Sequence, residues 1–169
     1  GGTGLIGQRL CKTLLDKGYE VRILSRQPNP SMDKRIRSFA WDVSKNVVDE
    51  RCFEGADAII HLAGEAIVDK AWTPARKKAI IDSRTASIRL IYSALKNSHN
   101  TSVKTVISAA AIGFYSDRGD EILTENSPAG EGFLAESCIA WEQAIDEGEA
   151  LGLRIVKFRT GIVLDVEGG

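Results

Sequence analysis

Gly1, Gly4 and Gly7 stand three residues apart in Gly1-Gly-Thr-Gly-Leu-Ile-Gly7, ahead of a run in which Ile6, Leu10, Leu14 and Leu15 recur at helical spacing. Glycines so placed let the backbone turn sharply and approach a bound group closely. A helix starting there offers its unpaired N–H groups to a negative charge. The chemistry this suits is the binding of a dinucleotide pyrophosphate, with Thr3, Leu5 and Ile6 completing the loop and the Thr3 hydroxyl free to tie it internally. The plainer alternative is a tight bend into a helix.

The next strand decides between the two nicotinamide dinucleotides. An acidic residue at its end, about 20 residues beyond the loop, would accept from both ribose hydroxyls. This chain has Leu24-Ser25-Arg26 instead. A serine donor followed by a guanidinium suits a 2′-phosphate, which needs charge-assisted donors, so NADP(H) is favoured over NAD(H). The alternative is an arginine that only caps a strand end in solvent. Asp42 ends the following short run, where its carboxylate could accept from an adenine amino group or simply form a turn. Leu62-Ala63-Gly64 brings small residues to the end of another strand, on the side where open α/β sheets bind ligands. His61, inside an apolar run, reads as a core histidine rather than a catalyst.

The elements that must hold these residues alternate. A helix runs from the glycine turn to Asp16-Lys17-Gly18, then a strand over Glu20–Ser25 and a polar stretch containing Pro28 and Pro30. Short strands follow at Phe39–Asp42 and Ala58–Leu62. A long helix covers Pro74 to about Lys96, with Pro74 suited to its first turn. A strand covers Val103–Ala109, and a helix Phe133–Leu151 stops at Gly152. The last strand is Arg154–Phe158, which Gly161–Leu164 extends or follows. Alternation of this kind predicts an α/β, Rossmann-like, doubly wound parallel sheet with helices on both faces.

The 169 residues are 43% hydrophobic and 27% charged with a formal net charge of −1, an ordinary globular balance with no basic face for nucleic acid. Arg76-Lys77-Lys78 reads as solvated surface. Cys11, Cys52 and Cys138 are odd in number and far apart, which argues against a disulfide framework and for a reducing, cytoplasmic setting. His61 and His99 are too few and too scattered for a metal site, and no stretch reaches the roughly 20 apolar residues of a membrane span. The partners to expect are a small-molecule substrate, with no nucleic acid and no membrane; a homodimer is compatible with the helices present.

Read together and in order, the glycine loop, Ser25-Arg26, His61-Leu-Ala-Gly-Glu65, Trp72-Thr73, Ser83-Arg84, Phe133-Leu-Ala135, Trp141-Glu142 and Arg159-Thr-Gly-Ile-Val-Leu164 resemble the extended short-chain dehydrogenase/reductase superfamily. More narrowly they resemble its NAD(P)-dependent epimerase/dehydratase-like "epimerase family protein" branch, often labelled nucleoside-diphosphate-sugar epimerase. The resemblance implies NADP(H) held by the glycine loop, Ser25-Arg26, Leu62-Ala63 and Arg84. It also implies that residues 1–169 form an NADP-binding Rossmann-like domain whose first strand precedes Gly1, with a C-terminal substrate domain beyond Gly169.

The superfamily's catalytic set does not carry over. A Ser/Thr with Tyr-x-x-x-Lys would let a phenolate exchange a proton while hydride moves at the nicotinamide. Registered on Ser137-Cys-Ile-Ala-Trp-Glu142, the lysine position is Cys138, the tyrosine position is Leu134, and the serine position falls on Ala110 or Ala111. Ser108 and Tyr115 remain as nearby candidates, against a backbone-bonding serine and a packing tyrosine. Cys138 reads as a buried structural thiol, and Glu125 and Pro128 as residues that shape a loop. Two readings therefore stand. One is an NADP-dependent oxidoreductase or epimerase-like enzyme acting on a small carbonyl or sugar-nucleotide substrate with a non-standard acid/base group. The other is a catalytically silent NADP(H)-binding protein that serves regulation or partner binding.

Overall fold

The computed structural model describes residues 1–27, 33–67, 71–98 and 102–165; Pro28, Pro30 and His99 lie outside them. Helix α1 (Leu5–Asp16) leads into strand β1 (Val21–Ser25), followed by β2 (Ile36–Asp42), a two-residue β3 (Val47–Val48) and β4 (Ala58–His61). Helix α2 (Pro74–Asn97), strand β5 (Thr105–Ala111), helix α3 (Phe133–Asp146) and strand β6 (Arg154–Thr160) complete the order, with 3₁₀ turns at 43–45, 50–53, 112–115 and 147–151.

The strands lie in two three-stranded sheets. β1 pairs parallel with β2, from Val21 opposite Ile36 to Ser25 opposite Ala40, and β2 pairs antiparallel with β3. β4, β5 and β6 are all parallel, with His61 opposite Ser108 and Ala111 opposite Thr160. β1 and β4 are not paired with each other. The N-terminal turn lies against both: a Cβ on Gly1 would fall 2.2 Å from the carbonyl oxygen of Leu62, just past β4, and one on Gly2 would fall 3.0 Å from the Ile23 side chain in β1.

Period-two alternation assigns the two faces of β1. Val21 and Ile23 point to a cluster with Cys11 and Leu15 of α1, whereas Leu24 packs against the larger core built on α2. The first sheet thus has helices on both faces. Val106, Ile88, Ile91, Leu95 and Ala144 build the core between the second sheet and α2 and α3, and the Tyr92 hydroxyl ties the two helices by donating to the Ile145 carbonyl at 2.6 Å. This is an α/β, Rossmann-like fold.

Boundaries follow local chemistry. The Thr73 hydroxyl caps α2 by accepting from Arg76 N–H, with Pro74 in the first turn. Gly18, at φ +84°, ends α1. Three expectations need correcting. The last helix is α-helical only to Asp146, and 147–151 tightens into 3₁₀ before Gly152 at φ +73°. β2 begins at Ile36, earlier than its apolar run, because pairing with β1 carries Arg37 and Ser38 into the ladder. Gly161–Leu164 adds nothing to β6, which stops at Thr160.

Candidate functional site

The glycine loop has the geometry of an anion cradle. Gly4 is the N-cap of α1, no side chain caps the helix, and its first turn carries no acidic residue. The helix therefore presents uncompensated N–H groups and the positive end of its dipole. Gly4 N–H donates to the Gly1 carbonyl at 3.1 Å. Gly7 must be glycine: a Cβ there would lie 2.2 Å from the Gly1 carbonyl oxygen and 2.6 Å from the Gly2 Cα. Thr3 is tied through its carbonyl, which accepts from Gln8 Nε2 at 2.7 Å, rather than through its hydroxyl.

Ser25 ends β1 beside this loop. Its hydroxyl donates to the Gln27 carbonyl at 2.9 Å and accepts from the Gln27 N–H at 3.2 Å, so it shapes the turn that presents Arg26. Arg26 is exposed and has no hydrogen bond or ion pair among the described residues. Asp42 is engaged as a turn former: Oδ1 accepts from Ser44 N–H at 3.0 Å and from the Ser44 hydroxyl at 2.6 Å, and the Ser44 bonds hold its pKa below the usual range.

The segment after β4 is built around two arginines that hold it. Leu62 abuts Gly1, and a Cβ on Gly64 would lie 3.1 Å from the Arg84 guanidinium carbon. Arg84 is buried, donates to the carbonyls of Ile80 and Glu65 at 3.0 Å each, and sits 5.0 Å over the Trp141 ring. Arg84 thus supports the segment through the Glu65 carbonyl while its other donor stays within α2, on Ile80. Arg76 is likewise not solvated surface: it pairs with Glu65 at 2.7 Å and donates to the Ala66 carbonyl.

The two candidate catalytic hydroxyls are both buried and engaged within the protein. Ser108 is fully buried; its hydroxyl lies 3.0 Å from His61 Nδ1 and from the Ala109 carbonyl. His61 Nε2 lies 2.8 Å from the Ser87 hydroxyl, which itself donates to the Arg84 carbonyl at 2.8 Å. Because Ser87 gives its proton to the Arg84 carbonyl, Nε2–H donates to Ser87; with the ring neutral, Nδ1 accepts the single Ser108 proton, which is then not given to the Ala109 carbonyl. Burial, reinforced by nearby positive charge including Arg84, lowers the His61 pKa to about 4. Tyr115 is also buried, donating to the Thr124 carbonyl at 2.9 Å and accepting from Arg159 at 2.7 Å. Both hydroxyls are thus committed to partners inside the protein. Cys138 is a buried free thiol whose pKa burial pushes up, and Leu134 and Ala110 offer no proton.

The His61 network carries a pH prediction. An unfolded histidine takes up its proton near pH 6.5, and the folded one not until about pH 4. Between these values the unfolded chain binds more protons, so stability falls as pH drops. The contribution amounts to about 3 kcal/mol at full protonation. Urea unfolding at pH 7 and pH 4.5 should show this loss in the native protein and a shallower pH slope in His61→Gln; equal slopes would place His61 in contact with water.

Sequence reasoning missed Arg159 as an organiser. Lying near the end of β6, it donates to Glu142 Oε1 at 2.7 Å and Oε2 at 2.9 Å, to the Tyr115 hydroxyl, and to the Glu125 carbonyl at 3.2 Å, and it stacks 3.6 Å over the Phe114 ring. A charged residue inside a β-branched run was the available signal. Also missed was a cleft of 430 Å³ between Trp72, the turn after β5 (Ile112, Gly113, Ser116, Asp117) and the start of α3 (Glu131, Phe133, Leu134). Among the described residues no cluster of His, Cys, Asp or Glu could hold a metal, and no helix is long and apolar enough to cross a membrane.

This geometry has counterparts. The family model of the NAD dependent epimerase/dehydratase family matches residues 1–153. An epimerase family protein of Mycobacterium bovis is 34% identical over 170 residues, and one of Bacillus subtilis is 32% identical over 169 residues. The match covers all or nearly all of this chain but only 54% and 55% of those proteins, so the chain spans about half the length of the curated relatives it matches. A crystal structure of a nucleoside-diphosphate sugar epimerase from Corynebacterium glutamicum superposes with a TM-score of 0.81 at 38% identity, over 100% of this chain and 34% of that one. The human epimerase family protein SDR39U1, crystallised with NADPH, gives 0.78 at 27% identity, over 100% of this chain and 54% of that one. A helix start stripped of acids, a glycine that only glycine can replace, and this match along most of the chain place the protein in the NAD-dependent epimerase/dehydratase family.

Proposed function

We propose that the chain binds NADP(H) and forms the cofactor half of an NADP-dependent oxidoreductase or epimerase-like enzyme acting on a small carbonyl or sugar-nucleotide substrate. The observation that carries this is the pairing of the uncapped, acid-free start of α1 with an exposed, unengaged Arg26 at the end of β1. Gly1–Gly7 would hold the pyrophosphate, Arg26 the 2′-phosphate, and Leu62–Gly64 the edge beside the nicotinamide. When bound, the cofactor supplies hydride transfer. The chain's own contribution is to hold it: Arg84 and Arg76 fix the 64–66 backbone, and Arg159 fixes the turn after β5.

Binding by the human relative crystallised with NADPH supports the cofactor assignment. The free state of Cys11, Cys52 and Cys138 supports a cytoplasmic setting. A small-molecule substrate, with no nucleic acid or membrane partner, belongs to the same reading, as does compatibility with a homodimer. One observation favours the second reading, a catalytically silent NADP(H)-binding protein: Ser108 and Tyr115 are both buried and hydrogen-bonded within the protein.

Titration with NADPH and NADH, followed by nucleotide fluorescence, tests the proposal. NADPH should bind more tightly, and Arg26→Ala should weaken NADPH by about tenfold to a hundredfold, the worth of one charged hydrogen-bonded contact, while leaving NADH nearly unchanged. Equal loss for both nucleotides, or tighter NADH binding by the native protein, would overturn the 2′-phosphate role. Turnover screened across aldehydes, ketones and sugar nucleotides then separates enzyme from silent binder.

A further inference from the structure

The glycine loop sits between the two sheets, with Gly1 against Leu62 just past β4 and Gly2 against Ile23 in β1. A dinucleotide whose pyrophosphate lies on this loop has one half on each side of it. With the 2′-phosphate at Arg26, just past the end of β1, the adenosine half takes that side, and the nicotinamide half passes over the end of β4. The chain there reads Leu62-Ala-Gly-Glu65, so Glu65 is the first ionisable side chain past that strand.

Glu65 is held at three points. Its N–H donates to the Ser83 hydroxyl at 3.0 Å, and that hydroxyl gives its own proton to the Ile80 carbonyl at 2.8 Å. Its carbonyl accepts from the buried Arg84 guanidinium at 3.0 Å. One carboxylate oxygen, Oε2, meets Arg76 at 2.7 Å. Ser83, Arg84 and Arg76 all belong to α2, so one helix sets both the backbone and the side chain. Exposure within the ion pair is unequal, 13% for the Arg76 side chain and 48% for that of Glu65. The cation backs the pair and the carboxylate faces out. A half-exposed pair of this kind adds little to stability. A carboxylate fixed in advance, however, loses little freedom on accepting a hydrogen bond from a ligand. Arg76 also offsets the negative charge that Glu65 would otherwise bring up to an anionic dinucleotide.

We infer that Glu65 is a binding residue for the nicotinamide half, its carboxylate accepting hydrogen bonds from the hydroxyls of the nicotinamide ribose. This rests on the dinucleotide reading above. Along the ligand, that ribose comes next after the pyrophosphate; along the chain, Glu65 stands three residues beyond Leu62, which abuts the loop. The chemistry matches, since a ribose diol offers hydroxyl donors and an ionised carboxylate only accepts.

Calorimetric titration with NADPH and with 2′,5′-ADP, which carries the adenosine and the 2′-phosphate but no nicotinamide half, tests this on the native protein and Glu65→Gln. The substitution should weaken NADPH by about tenfold, the worth of one charged hydrogen bond. It should leave 2′,5′-ADP unchanged, which also shows that the variant is folded. Glu65→Ala should weaken NADPH at least as much. The 3-acetylpyridine analogue of NADPH keeps the ribose and lacks the amide N–H, and it should lose the same factor as NADPH. Unchanged NADPH affinity in both variants would overturn the inference and leave the dinucleotide reading standing. Equal loss of NADPH and 2′,5′-ADP would also overturn it, by making Glu65 a support of the whole fold. An analogue indifferent to the substitution would move the contact to the carboxamide and overturn the ribose assignment. A native protein that fails to bind NADPH overturns the dinucleotide reading itself.

Discussion

Arg159→Met should lower the free energy of unfolding by about 2–3 kcal/mol, the cost of taking a charged hydrogen-bonding partner from a buried carboxylate. Glu142 is only 7% exposed, and Arg159 meets both of its oxygens, at 2.7 and 2.9 Å. The next cation, Lys157, stands 3.7 Å away and is already committed to Asp146 at 2.8 Å. Methionine keeps the packing over Phe114 but leaves the carboxylate nearly alone, and it strips the Tyr115 hydroxyl of its 2.7 Å donor. Because the loss is mainly an uncompensated charge, Arg159→Met/Glu142→Gln should recover about 1–2 kcal/mol relative to the single variant. Urea unfolding of the native protein and both variants measures this. A cost below about 1 kcal/mol for Arg159→Met would mean that the pair is effectively solvated.

The same arginine shows why part of the site was hidden in the sequence. What could be read ahead was whatever local pattern dictates: the glycine spacing, the helix that follows it, the strand ending in Ser25-Arg26, and the Thr73-Pro74 start of α2. His61 could be read as a core residue because it lies in an apolar run, and it is one. The partners of Arg159 cannot be read in this way. They lie 17, 34 and 44 residues away, at Glu142, Glu125 and Tyr115, and only the docking of α3 beside the turn after β5 brings them together. The partners of Arg84 were hidden for a related reason. The resemblance implies a cofactor role for it, but its direction is set by the Glu65 carbonyl 19 residues earlier and by the Trp141 ring, which local sequence does not show. The cleft was invisible because its walls come from three segments, each unremarkable alone. Backbone strain was equally hidden: Ser116 sits at φ +57° with nothing in its local sequence to require it, and it is held there by the close passage of Gly130, whose N–H donates to the Phe114 carbonyl at 2.9 Å.

Gly7→Ala should weaken NADPH binding by about a hundredfold, or about 2.7 kcal/mol, and should also destabilise the fold. Helix propensity alone predicts the opposite, since alanine is favoured over glycine inside a helix by about 1 kcal/mol. Sterics decide the sign. The new methyl would sit 2.2 Å from the Gly1 carbonyl oxygen, 2.6 Å from the Gly2 Cα and 2.7 Å from the Gly2 carbonyl carbon. All three are backbone atoms, so no rotamer change relieves the contact, and the loop must move away from the start of α1. That movement carries Gly1 off Leu62 and Gly2 off Ile23, which loosens the turn from both sheets, at an overpacking cost of about 1–3 kcal/mol. Gly4→Ala supplies the contrast. Its Cβ would meet only the Gly1 carbonyl oxygen, at an ordinary 3.5 Å, so unfolding should change by no more than about 1 kcal/mol, the usual worth of an N-cap position. Thermal unfolding and NADPH titration of the two variants read the two effects separately. A more stable Gly7→Ala protein with native NADPH affinity would show that the third glycine serves helix geometry and not the cradle.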